Sequence, residues 1–176
     1  MKIFAKIGLL FLVSVCLWAC NNNTDGEPDV SNVKVDVKIQ YLDKELFACK
    51  TEQDILVFLQ KYTEFASQYF NTTPASFPVL ANKLFTQISS PALQEFYQQS
   101  QEKAFFGNQN LENDFKEAFQ HIKYYYPDFK EPKIYTIFTG FFGQGTILNP
   151  ELRVSDSTII VGIDYFMGEK GKYLPD

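Results

Sequence analysis

The stretch Thr158-Ile159-Ile160-Val161-Gly162-Ile163-Asp164 decides how this chain is read. Its first four residues are β-branched, which stiffens χ1 and favours a pleated backbone. Apolar side chains fall on both pleat faces, the mark of a strand covered on two sides rather than one that faces water. The run is the length of a strand and too short for a buried helix. Residues 133–139, Lys-Ile-Tyr-Thr-Ile-Phe-Thr, repeat this character, and between the two lie glycines at 140, 143 and 145 and the pair Asn149-Pro150. The carboxyl-terminal third therefore reads as two strands joined by a turn-rich connection.

Upstream the period changes to that of a helix. Thr51, with Asp54 three residues on, is a capping-box variant, and Ile55, Phe58, Leu59, Tyr62, Phe65 and Tyr69 then recur at helical spacing. This predicts one helix over 52–70. Thr72, Thr73, Pro74 and Pro78 break it, and Leu80, Leu84, Phe85 and Ile88 indicate a shorter helix. Ser90 and Pro91 open a third, carrying Leu93, Phe96, Tyr97 and Ala104. A fourth runs from near Asn110 to Tyr126, with Leu111, Phe115, Ala118, Phe119, Ile122 and Tyr126 expected inward, and Pro127 stops it. Ahead of all these, residues 33–39 alternate Val and Ile with Lys and Asp, the pattern of a half-buried strand. The expectation is an α/β (α+β) single domain over 33–176: an amino-terminal strand, four aromatic-rich helices, then at least two strands. The 18 Phe and 10 Tyr recur at these spacings and are read as core.

The amino end carries an address. Lys2 and Lys6 precede an apolar run from Ile7 to Ala19, and Leu17-Trp18-Ala19 precede Cys20. A basic start and a short apolar segment make a signal peptide, and the segment is shorter than the roughly 20 residues a bilayer demands. Ala19 lets a signal peptidase approach the bond before Cys20, whose sulfur then carries a diacylglycerol while the freed amine takes another acyl chain, palmitate or its like. Residues 1–19 are read as a lipoprotein signal, Cys20 as the lipidation site, and 20–32 as an acidic tether. Asn21, in place of an aspartate that retains lipoproteins at the inner membrane, points to the outer membrane.

Composition narrows the chemistry. Without Lys2 and Lys6 the 16 basic residues become 14 against 21 acidic, a net charge of −7 with no Lys/Arg cluster, which is a poor nucleic-acid ligand. Cys16 leaves with the leader and Cys20 is spent on lipid, so only Cys49 remains and no disulfide can form within the mature chain. Beside Phe47 and Ala48, Cys49 reads as a small buried hydrophobe. His121 is the single histidine, so the paired histidines of a zinc-peptidase helix are lacking, and His121 reads as an ordinary helix residue. Gly140-Phe141-Phe142-Gly143-Gln144-Gly145 has neither the dinucleotide nor the P-loop spacing, and Asp25, Glu27 and Asp29 lack that of a calcium loop. No cofactor is implied. Asp164, at the carboxyl end of a buried strand, is the one candidate polar site, although capping the turn with Met167 and Gly168 is the favoured reading.

The lipobox, the run His121-Ile122-Lys123-Tyr124-Tyr125-Tyr126-Pro127, the strand 133–139, and above all residues 158–168 continuing to Tyr173-Leu174-Pro175 resemble the gliding-motility lipoprotein GldB family of Bacteroidota. The resemblance implies a membrane-anchored envelope lipoprotein associated with motility and secretion proteins, with a general envelope role in organisms that do not glide. It also implies a fold like that of zinc peptidases, without a metal-ligand motif in the matching region, so no catalytic residue is carried over. Family members continue with further helices past the equivalent of Pro175, so the chain is expected to be an amino-terminal fragment, the alternative being a departure from the family that leaves its sheet underpacked. The expected function is therefore non-catalytic. Two rivals are a peptidase-like enzyme whose catalytic half is missing and an aromatic-rich glycan-binding surface lipoprotein. Loss of Trp18 with the leader leaves no tryptophan for the second.

Overall fold

The computed structural model describes residues 28–102, 110–141 and 150–174. The chain divides into two units, 1–32 and 33–176. In the first, the Ser31 N–H donates to the Asp29 carboxylate at 3.0 Å, a short polar turn. Lipobox residues, Cys20, Asp25, Glu27, Ala104, Gly143, Gly145 and Asn149 lie outside the described residues.

The second unit is mixed α/β. It runs β1 (Ile39–Tyr41), α1 (Leu42–Ala48), α2 (Glu52–Lys61), α3 (Thr63–Tyr69), α4 (Phe77–Ile88), α5 (Pro91–Ser100), α6 (Leu111–Tyr125), β2 (Lys133–Ile137), β3 (Leu152–Val154) and β4 (Thr158–Gly162), then a 3₁₀ turn at Ile163–Phe166. The sheet order is β1-β2-β4-β3, with β1 and β4 both parallel to β2 and β3 antiparallel at the edge. Ile134 pairs in register with Ile39 on one side and Ile159 on the other.

The amino-terminal strand shares only Ile39 with the 33–39 pattern read from the sequence. Residues 33–38 keep alternating exposure, but only Ile39–Tyr41 join the ladder. The parallel register explains this. Ile134 N–H donates to the Lys38 carbonyl at 3.2 Å, and the next rung upstream would need an N–H from Pro132, which has none. Immediately after β1 the chain turns into α1, a helix the spacing of Leu42, Leu46 and Phe47 encodes and the expected element order lacks.

The predicted helix over 52–70 is two helices. The capping box at Thr51 and Asp54 forms as read, but Tyr62 leaves helical geometry at φ −113°, ψ 43°. The Thr63 hydroxyl bonds the Gln60 carbonyl at 2.7 Å, competing with the helical ladder, while the Tyr62 hydroxyl donates to Glu45 of α1 at 2.6 Å. Tyr62 thereby turns toward α1 and α3 swings onto the sheet. The third strand-forming segment, β3, follows from Leu152-Arg153-Val154 alternation ahead of a Ser-Asp-Ser turn, a hairpin signal too short to stand out.

Helices α1 to α5 and the sheet enclose one core in which Phe138 is fully buried against the rings of Phe47, Phe96 and Tyr97, at centroid distances of 5.6, 5.0 and 5.3 Å. Half of the chain's 28 Phe and Tyr, 14 among the described residues, lie in this core or pack against it. Helix α6 is different. Phe119 is buried, but Ala118 is exposed, and Ile122 and Tyr126, expected inward, are 39% and 70% exposed. Tyr124 and Tyr125 are exposed with them, their rings perpendicular at 89°. The helix is held at its flanks instead, by Gln120 donating to the Val33 carbonyl at 2.9 Å and Lys123 pairing with Glu131 at 2.6 Å. Coverage of the sheet is likewise uneven: Ile134 and Ile160 are buried, whereas edge residues Leu152 and Val154 are 43% and 65% exposed. No described helix is long and apolar enough to cross a membrane.

Candidate functional site at the carboxyl ends of the parallel strands

In open α/β sheets, ligands gather outside the carboxyl ends of parallel strands, where loops and helix starts converge. Here that end holds two buried carboxylates. Asp164 follows β4 and is 1% exposed; Asp43, two residues past β1 in the first turn of α1, is equally buried.

Asp164 does not cap the turn ahead of it. Its carboxylate reaches across to the segment leaving β2, accepting the Thr139 N–H at 3.0 Å, the Thr139 hydroxyl at 2.5 Å and the Phe141 N–H at 3.1 Å. The Met167 N–H bonds only the Asp164 main-chain carbonyl, at 3.4 Å. Gly140 and Phe141 both sit in the left-handed region at φ +59°. For Gly140 that is free of penalty. For Phe141 it is strained, and the Asp164 carboxylate and Thr139 hydroxyl hold its N–H in place. The Phe141 ring is seated against Phe96 and Tyr165, at 5.5 and 4.9 Å. The expectation that these glycines serve turn geometry rather than a phosphate cradle thus fits Gly140.

Asp43 accepts a short hydrogen bond from the Thr136 hydroxyl of β2, with the Tyr97 hydroxyl of α5 at 3.4 Å. Burial pushes the pKa of both aspartates above the ordinary carboxylate value, partly offset for Asp43 by Thr136 and for Asp164 by Thr139 and Phe141. Tyr69, whose hydroxyl donates to the Pro150 carbonyl at 3.2 Å, is raised by burial and by the nearby charge of Asp164. Chemically these groups tie strand ends to one another: Asp43 joins β1 and α1 to β2, and Asp164 joins β4 to the β2 exit. Each oxygen of both carboxylates meets at least one protein donor, which is what buried carboxylates need to remain in place.

Cys49 is half-buried, and its Sγ donates to the Glu45 carbonyl at 3.4 Å. His121 is half-buried on α6 and hydrogen-bonds to neither aspartate. No three His, Cys, Asp or Glu side chains converge among the described residues. Sequence reading singled out Asp164 but neither Asp43 nor its threonine partners. The available signal was an acid two residues beyond β1, flanked by Leu42 and Leu46.

No curated protein and no solved structure matches the chain. A family model described as gliding motility protein GldB matches residues 23–176, which takes in the whole α/β unit and both buried aspartates, and the chain belongs to that family.

Proposed function

We propose that this protein is a non-catalytic, lipid-anchored envelope component that works with the motility or secretion machinery of its cell. The observation that carries the reading is the family match over 23–176, which begins three residues after Cys20 and its lipobox. The internal commitment of Asp43 and Asp164 to threonine, tyrosine and backbone donors supports a scaffolding use of the strand ends rather than proton transfer to a substrate. Acyl chains on Cys20 would hold the protein at the outer membrane, because each buried methylene contributes about 0.8 kcal/mol and several chains together anchor almost permanently.

The test is complementation of a strain lacking the gene, read as colony spreading where the cells glide and as export of secreted proteins otherwise. Wild type restores both fatty-acid labelling and phenotype, and Cys20→Ser restores neither. Undiminished label on the Ser variant overturns the anchor. A deletion strain with normal spreading and normal export overturns the assignment to that machinery.

A further inference from the structure

A cleft of about 130 Å³ opens between α3 and the amino-terminal ends of β2 and β4, at the end of the sheet opposite the buried aspartates. It is smaller than the roughly 300–1,000 Å³ that drug-sized ligands occupy, so what fits is small. Its floor is aromatic: the rings of Phe65 and Tyr135 meet at 5.6 Å and 53°. One wall is α3, where Glu64 and Gln68 lie one helical turn apart and so share a face. The facing wall is the start of the sheet, where Lys133 and Thr158 are register partners and Ser157 precedes them in the turn.

The charges of this cleft are opposite in sign, and neither is neutralised by the fold. Lys38, Lys61, Lys123 and Lys172 take the salt bridges among the described residues, which leaves Glu64 and Lys133 facing the cleft without an ion pair. A simple anion would be repelled by Glu64 and a simple cation by Lys133. A molecule with an ammonium at one end and a carboxylate at the other satisfies both, as charge-assisted hydrogen bonds require. Its short aliphatic body would lie on the two rings, with the Gln68 amide and the Ser157 and Thr158 hydroxyls, themselves 3.5 Å apart, within reach of a peptide group.

We propose that this cleft binds a small zwitterionic amino compound, a free amino acid or dipeptide, with the ammonium toward Glu64 and the carboxylate toward Lys133. The test titrates ¹⁵N-labelled full-length protein with L-alanyl-L-alanine and follows amide resonances. Saturable shifts are expected at residues 64–68, 133–135 and 157–158. The N-acetylated dipeptide, lacking the ammonium, and the dipeptide amide, lacking the carboxylate, should each bind at least about tenfold more weakly, a loss of about 1.4 kcal/mol or more. Glu64→Gln should weaken the parent dipeptide by a similar factor and leave the N-acetyl form unchanged. Lys133→Met should do the same with respect to the amide form. Absent shifts, shifts elsewhere, or affinity indifferent to both end groups overturn the proposal. So does glucose producing the same shifts with Glu64→Gln indifferent, which would make this a polyol cleft. Both variants lie on the surface, and the amide spectrum reports their folding directly.

Discussion

Asp164, at the end of β4, accepts both the N–H and the hydroxyl of Thr139, at 3.0 and 2.5 Å, and so fastens two parallel strands at their carboxyl ends through a single side chain. The same carboxylate holds the Phe141 N–H at 3.1 Å and with it a left-handed phenylalanine. Backbone pairing ends at Ile137 and Gly162, and the side chain continues the connection where the ladder stops.

Asp164→Ala removes an acceptor and strands two buried donors, the Thr139 N–H and hydroxyl, while the Phe141 N–H keeps the Thr139 oxygen, so it should cost about 2–4 kcal/mol of unfolding free energy. Thr139→Val removes only the hydroxyl and should cost less, about 1 kcal/mol. Chemical denaturation followed by circular dichroism checks both. An Asp164→Ala protein as stable as wild type would mean that the clamp contributes nothing.

Acidification should act on the two buried aspartates in an unusual direction. Burial raises their folded pKa above the ordinary value of 3.8, so the folded state binds these protons more tightly than the unfolded chain. Their contribution is full below that value and is lost as pH rises through the folded pKa. Asp54, lowered by the Lys50 N–H and the Thr51 hydroxyl, and Glu131, lowered by Lys123, work the other way and lose theirs as pH falls. The stability of wild type relative to Asp43→Asn/Asp164→Asn should therefore decline as pH is raised from the ordinary carboxylate value of 3.8 upward. Denaturation of both proteins across that range checks it, and a difference that stays level or grows would refute the reading.

Helix α6 and the aromatic core should respond oppositely to truncation. Phe138→Ala empties a fully buried site among three rings and should cost about 3–5 kcal/mol. Tyr126→Ala, at a residue 70% exposed, should change stability by no more than about 0.5 kcal/mol. If Tyr126→Ala proved as costly as Phe138→Ala, that face of α6 would be buried after all.

Cys49 should be a sluggish thiol. Burial first, then the charges of Asp54 and Glu45, raise its pKa, which depletes the thiolate that reacts. Iodoacetamide at about pH 7.5 should label it more slowly than it labels glutathione, and urea should abolish the difference. Labelling as fast as the free thiol would point to an activated cysteine.

The local elements are legible in the residues because their causes are local. The capping box at Thr51 and Asp54, Pro91 opening α5, Asn110 capping α6, and the β-branched runs of β2 and β4 are each specified within a few residues, and each forms. The resemblance that named the family rested on such a run, residues 158–168, and the family match contains it. Tertiary structure decided what depends on a distant partner. The amino-terminal strand begins only at Ile39 because Pro132, about a hundred positions away, has no N–H to give to the rung before it. The helix over 52–70 divides at Tyr62 because Glu45 waits for its hydroxyl. Ile122 and Tyr126 share the helical period of Phe119, yet periodicity fixes only a face, and whether anything covers that face is settled by neighbours. Asp164 was visible as an acid at a strand end. That its partners are Thr139 and Phe141 rather than its own turn follows from β2 and β4 lying side by side, a parallel pairing that no local pattern encodes.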